Sequence, residues 1–141
     1  MKLVLDDSVA TKWYLPVQDS AKAMSLRLEL HRGVHELLVP DTLPAHCVTT
    51  FMAAERKGSI LPGETKLNLN DLLTFGLTFH SAFPLLRRAT EIALATRLSI
   101  DASVCVALAE QEQCQLMTAD QRVIRNTRRH FYFIIPLSSL P

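Results

Sequence analysis

Short apolar runs alternate along this chain with longer segments whose apolar residues recur every three or four positions. Lys2 to Leu5 is the first run, and it ends in Asp6-Asp7-Ser8. It reads as a buried strand leading into a helix through Lys12 and Trp13, which Pro16 closes. From Asp19-Ser20 onward, Ala23, Leu26 and Leu30 share one helical face, and Gly33 ends it. Glu36 to Val39 is a second strand. Pro40-Asp41 opens the next helix, with Asp41 as its N-cap and Pro44 in its first turn, and the pattern runs to Lys57-Gly58. Pro62 starts a further helix through Leu72-Leu73. Leu77 to Ser81 alternates and predicts a third strand. Pro84 to Leu98 returns to helix, with Leu85, Ala89, Ile92, Ala93 and Thr96 on one face. Ile100 to Glu112 is the most hydrophobic helix: Ile100, Val104, Ala107 and Leu108 share a face that Cys105 and Ala109 extend, so it should be nearly buried. Gln115 to Met117 is a fourth strand, Asp120 caps a short arginine-rich helix, and Phe131 to Ile135 is a final strand.

Strands alternating with helices in this way predict an α/β fold, with a mostly parallel central sheet and helices on both faces. The length of 141 residues fits a single domain over residues 1–141, and there is no internal repeat, low-complexity tract or linker. A hydrophobic share of 48% against 21% charged excludes a disordered chain. The formal net charge of +1 supplies no long-range pull on nucleic acid, so RNA binding would need a local basic patch. Cys47, Cys105 and Cys114 are odd in number and lack C-x-x-C spacing, which excludes a disulfide framework and a thiolate zinc site. They read as small buried side chains in a reducing cytoplasm. The apolar run at the N-terminus is too short for a signal peptide or a membrane span, and no later stretch is long enough.

The acids carry the chemistry. Asp6 and Asp120 follow predicted strands directly, and in open α/β sheets sites form beyond the carboxyl ends of strands. Asp101 opens the buried helix and joins them if that helix begins at the same edge. Carboxylates gathered together repel, and burial raises the penalty, so a divalent cation is the best explanation for such a cluster. The plainer reading is N-capping. It is accepted for Asp41. It competes less well for Asp6, whose neighbour Asp7 is an equally able cap, and for Asp101, which has Ser99 before it.

Three stretches together resemble PIN-domain proteins of the VapC toxin type. Leu3 to Pro16 (LVLDDSVATKWYLP) is similar to their opening, Leu98 to Glu110 (LSIDASVCVALAE) to their central helix, and Gln115 to Arg122 (QLMTADQR) to their last acidic motif. The resemblance covers essentially the whole chain. It implies a PIN-like fold and a metal-dependent endoribonuclease with Asp6, Asp101 and Asp120 as ligands of Mg²⁺ or Mn²⁺. Thr118 and Ser8 would position water or hold the ligands. It also implies a toxin neutralised by a small antitoxin protein, working as a cytoplasmic homodimer on an RNA substrate, with no membrane.

One position departs. The family carries a Glu on the helix after the second strand, where this chain has His46. An imidazole there removes a negative charge, which weakens Mg²⁺ more than Mn²⁺. His46 is read either as a space-filling partner of Asp6 or Asp101, or as a metal ligand, phosphate contact or proton shuttle. The alternative function is therefore a catalytically weakened or inactive PIN-like module that binds RNA or protein.

Other features weigh less. Arg122, Arg125, Arg128 and Arg129, with His130, form either a solvated helix face or an RNA-backbone contact. His31, His35, His80 and His130 have no ligand spacing and read as surface or strand residues. Trp13 and Tyr14 read as packing or interface residues. A phosphoacceptor signalling domain is excluded, because Asp71 falls in a helix and Pro136, not Lys, follows the last strand.

Overall fold

The computed structural model describes residues 1–141. Five strands form one sheet: β1 (Lys2–Leu5), β2 (Glu36–Pro40), β3 (Thr78–His80), β4 (Gln115–Thr118) and β5 (Ile134–Pro136). Their order is β3-β2-β1-β4-β5 and every pairing is parallel. The helices are α1 (Asp7–Ala10), α2 (Ser20–His31), α3 (Leu43–Lys57), α4 (Glu64–Thr74), α5 (Leu86–Thr96), α6 (Ile100–Glu112) and α7 (Gln121–Thr127). The fold is thus α/β, with helices over both faces of a wholly parallel sheet.

Strand alternation divides the core in two. Leu3, Leu5, Leu37, Val39 and Met117 face one side and pack with Val9, Trp13, Leu26, Cys47, Phe51 and Leu72. Val4, Leu38 and Leu116 face the other and pack with Ile92 and the run from Val104 to Ala109. The strands are apolar on both faces because both faces are covered. Ser103 to Ala109 of α6 are all buried, as a helix apolar around its whole girth requires, whereas Ile100 at its start is 41% exposed.

One polar cluster ties the turn after α1 to α2 and α4. The Arg27 guanidinium lies 4.4 Å from the Phe75 ring centre, over the Trp13 and Tyr14 rings as well, and pairs with Asp71 at 2.8 Å. The Tyr14 hydroxyl donates to the same carboxylate at 2.6 Å, and the Trp13 indole donates to the Ala23 carbonyl at 2.7 Å. Trp13 and Tyr14 are packing residues here.

The structure moves several expected boundaries. The last strand is Ile134–Pro136, not Phe131 to Ile135, because β4 offers a partner only from Leu116 to Thr118. Phe131 and Phe133 instead pack on the core beside Cys114. Cys114 itself is only half-buried. Asp41 does not cap α3: its carboxylate accepts the Ala82 amide at 3.1 Å and ties the turn after β3 to the end of β2. Asp19 sits in left-handed backbone (φ 63°) without a capping bond, and Ser20 makes the local bonds. The helix expected from Pro62 begins at Glu64, after Gly63 at φ 91°.

Phe51 is fully buried, and Tyr14 packs edge-on against its ring at 5.4 Å. Phe51→Ala should cost about 3–5 kcal/mol in urea-induced unfolding. Phe83→Ala, at a position 82% exposed, should change it by about 0.5 kcal/mol or less.

Candidate acidic site at the carboxyl edge of the sheet

The strand order reverses between β1 and β4, and there the chain leaves the sheet in opposite directions and opens a crevice. The register pairs Leu5 with Met117, and the Asp6 amide donates to the Met117 carbonyl at 3.4 Å. Asp6 and Thr118 therefore stand side by side on the sheet face that α6 covers.

Asp6 is buried, with only 4% of its surface exposed. Its carboxylate accepts the Ser8 amide at 3.1 Å and so caps α1, and it accepts the hydroxyls of Ser8 and Thr118 as well. The Thr118 and Ser8 oxygens lie 3.4 Å apart. Ser8 also accepts the Ala119 amide at 2.8 Å, and Thr118 the Asp120 amide at 3.1 Å. These two hydroxyls weld the end of β1 to the end of β4. Burial pushes the Asp6 carboxyl up to about 7; the Ser8 and Thr118 hydroxyls oppose that rise, and the neighbouring Asp7 and Asp120 add to it.

The expectation that capping competes poorly for Asp6 is corrected: Asp6 does cap, and Asp7 is left free. Asp7 is half-buried and feels the charges of His46, Asp120 and Asp101, with burial the main influence raising its carboxyl. It was not among the residues singled out from sequence. The signal was present in the doubled acid, since one of two adjacent carboxylates at a helix start cannot cap.

Asp101 reaches the same edge from α6. Ser99 caps that helix by accepting the Ala102 amide at 3.2 Å, so Asp101 is released from capping. His46, from α3 on the opposite face, brings its Nε2 to 3.3 Å from an Asp101 oxygen. Asp120 caps α7, accepting the Arg122 amide at 2.9 Å, and is otherwise exposed. Two thiols lie beneath: Cys47 on α3, pushed up to about 12 by burial and by Asp7 and Asp6, and Cys105 on α6, raised well above its ordinary value by full burial. Sequence reading missed both as part of this floor.

The residues brought together are thus Asp6, Asp7, Ser8, His46, Asp101, Thr118 and Asp120. No lysine or arginine pairs with any of the four aspartates, and the one imidazole–carboxylate contact among them is His46–Asp101. Carboxylate and hydroxyl oxygens with one imidazole are the donor set of a hard or borderline divalent cation. Their chemistry fits such an ion, although no three carboxylate, imidazole or thiol groups stand close enough to clamp it as the side chains lie. Asp101 and Asp120 are exposed, Asp101 beside His46 and Asp120 capping α7. The largest concavity, about 740 Å³, lies by Arg88, Glu110, Cys114 and Phe133, and a smaller one of about 170 Å³ adjoins Thr118 and is lined by Lys12 and Gln121.

No family model matches this sequence, and a search of curated proteins gives no match. Among solved structures, the chain is similar to the crystal structure of PAE2754 from Pyrobaculum aerophilum. The TM-score is 0.73 at 13% sequence identity, over 99% of this chain and 91% of that one. That likeness shows the fold. The five-stranded parallel sheet with flanking helices fits a PIN-like or Rossmann-like α/β domain.

The raised Asp6 carboxyl has a consequence for stability. A folded value of about 7 against the ordinary 3.8 means the folded state holds the proton more tightly than the unfolded chain does. The resulting stabilisation is complete below the ordinary value, shrinks as pH rises and is gone above the folded value. In metal-free buffer Asp6→Asn should therefore raise Tm relative to wild type at pH 8. The gain, a few kcal/mol at most at about 1.4 kcal/mol per pKa unit, should vanish toward pH 4. A thermal-unfolding series from pH 4 to 8 reads it, and a variant less stable at pH 8 would contradict it.

Proposed function

We propose that this chain is a metal-dependent endoribonuclease of the PIN-domain, VapC toxin type, with its reaction centre at the four-aspartate edge. The observation that carries this reading is the meeting of Asp6, Asp7, Asp101 and Asp120 at the sheet's reversal point without a lysine or arginine partner. A buried Asp6 carboxylate with a half-buried and two exposed carboxylates near it costs stability, and a bound Mg²⁺ or Mn²⁺ would offset that cost.

Asp6, Asp101 and Asp120 are the proposed ligands. When bound, the cation would lower the pKa of a coordinated water and stabilise charge on the phosphorane-like transition state. Ser8 and Thr118 fix the Asp6 carboxylate in place, and the buried thiols and apolar floor exclude bulk water below it. Arg122 and Arg125 are exposed on α7, which Asp120 begins, and are the proposed contacts to an RNA backbone; Arg128 and Arg129 follow the other end of that helix. A small antitoxin partner, a homodimer and a cytoplasmic setting are part of the same proposal and rest on the sequence resemblance. No single helix is long and apolar enough to cross a membrane.

A second reading, a weakened or inactive PIN-like module that binds RNA or protein, is favoured by one observation. His46 stands where the family carries a glutamate, with its Nε2 3.3 Å from an Asp101 oxygen. Cleavage of a mixed RNA substrate with Mn²⁺ separates the two. Wild type should cut, and Asp101→Asn should lose about a hundredfold or more, since a metal's contribution is several kcal/mol and each 1.4 kcal/mol is tenfold. Equal rates would remove the nuclease reading. His46→Glu should increase metal affinity or cleavage on a nuclease scaffold; no RNA cleavage by either protein would leave the binding module.

A further inference from the structure

α7 and the segment that follows it border a series of concavities that starts at the carboxyl edge of β4. The first, about 170 Å³, reaches from Thr118 to Ile124 and Pro136. The second, about 290 Å³, shares Ile124 and Pro136 with the first and continues to Arg128 and Tyr132. The third, about 740 Å³, shares Phe131 and Tyr132 with the second and opens beside Arg88, Gln113 and His130. Shared walls make the three consecutive. α7 has seven residues, roughly 10 Å of helix, so the route beside it spans a few nucleotides at about 3.4 Å each.

The route is basic. Residues 121–133 carry four arginines and neither Asp nor Glu, in a chain whose formal net charge is +1. Arg128 lines the middle concavity and Lys12 the first. Two acids lie in the walls. Arg88 holds Glu110 through bonds of 2.7 and 3.0 Å, and Asp19 shares the first concavity with Lys12.

Tyr132 stands where the second and third concavities meet. Phe131 and Phe133 pack on the core, and Tyr132 between them is left 97% exposed. The Phe133 carbonyl accepts the Leu116 amide at 3.0 Å, which pins the backbone beside the ring to β4. The Tyr132 ring stands edge-on to Phe133, 6.4 Å between centres. A lone exposed aromatic is ordinary. An exposed ring on a pinned backbone, between two concavities and after a run of arginines, combines the two elements that hold single strands: a base-stacking face and charge for the backbone.

On the RNA-substrate reading above, we propose that a single strand of RNA runs from the aspartate edge along this series of concavities and stacks an unpaired base on Tyr132. The competing account is a protein partner, because Tyr and Arg also anchor protein interfaces. Under that account RNA affinity is indifferent to Tyr132 and to the bases of the strand.

The test is fluorescence anisotropy of the full chain with a labelled, unstructured RNA of about ten nucleotides, in EDTA so that cleavage does not intervene. Wild type should bind. Tyr132→Ala should bind about tenfold more weakly, and Tyr132→Phe, which keeps the ring, should bind like wild type. Phe83→Ala, an exposed aromatic that lines none of the three concavities, should also match wild type. An abasic strand of the same length should lose about tenfold with wild type and nothing further with Tyr132→Ala. Arg128→Ala should lower the slope of log affinity against log salt by about one. Equal RNA affinity in wild type and Tyr132→Ala overturns the Tyr132 site and leaves the nuclease reading to its own cleavage test. A loss in Tyr132→Ala that is the same for normal and abasic strands overturns base stacking. Adenosine monophosphate bound as tightly as the strand overturns the strand in favour of a free nucleotide. Absence of RNA binding by wild type removes this inference together with the RNA substrate it rests on.

Discussion

A carboxylate buried between two parallel strands sets the terms for the rest of this molecule. Asp6 ends β1 at the level where Thr118 ends β4, on the face covered by α6. The sheet reverses its order at that seam, so no strand covers the crevice and the chain leaves it both ways. Burial disfavours the charged form, and Asp7 and Asp120 nearby disfavour it further. The site is therefore a net cost at neutral pH. The two apolar cores on either face of the sheet, and the Arg27 cluster that binds α2 and α4 to the turn after α1, must outweigh it.

Helix placement offsets part of that cost. α1, α6 and α7 all start at this edge, and each presents the positive end of its peptide dipoles to the acids. Capping is divided among them in a way that decides which carboxylates remain available. Ser99 serves α6, which releases Asp101; Asp6 serves α1, which releases Asp7. Asp120 serves α7 through a single bond to the Arg122 amide and keeps its exposed face toward solvent. Serine and aspartate are nearly equivalent as caps. The choice between them at each helix start therefore sets how many charges face the crevice while helix stability stays nearly the same.

Much of this architecture was legible in the residues. Strands apolar on both faces, such as Lys2–Leu5 and Glu36–Pro40, announce a covered parallel sheet, and a helix apolar all round announces a buried one. Boundaries were less legible wherever tertiary partners decided them. The aromatic run Phe131 to Phe133 has strong strand propensity, but β4 is too short to pair with it, so pairing starts at Ile134. Asp41 has the local form of an N-cap, and only its distance to Ala82 across the sheet edge reveals its use. The positions of Asp6, Asp101 and Asp120 relative to strands and helix starts placed them at one edge. What the pattern did not show was the sharing of labour between Asp6 and Asp7. Nor did it show the thiols of Cys47 and Cys105 beneath the acids, since a buried cysteine looks the same wherever it lies.

The imidazole at residue 46 changes the character of the pocket more than its charge alone implies. A glutamate there would add an oxygen ligand and one more repulsive charge. His46 instead reaches across from the opposite helical layer to 3.3 Å from Asp101; on the proposed reading it removes a repulsive charge and engages a proposed ligand. Mg²⁺ needs near-ideal octahedral oxygen geometry and gives up its own waters reluctantly, so a ligand held by a neighbouring imidazole is a poor substitute. Mn²⁺ accepts nitrogen donors more readily, and for it the His46–Asp101 pair becomes two adjacent candidate donors in place of one occupied carboxylate. On the proposed reading, the departure from the family pattern shifts the pocket toward the softer ion while the aspartate seam at β1 and β4 stays as it is.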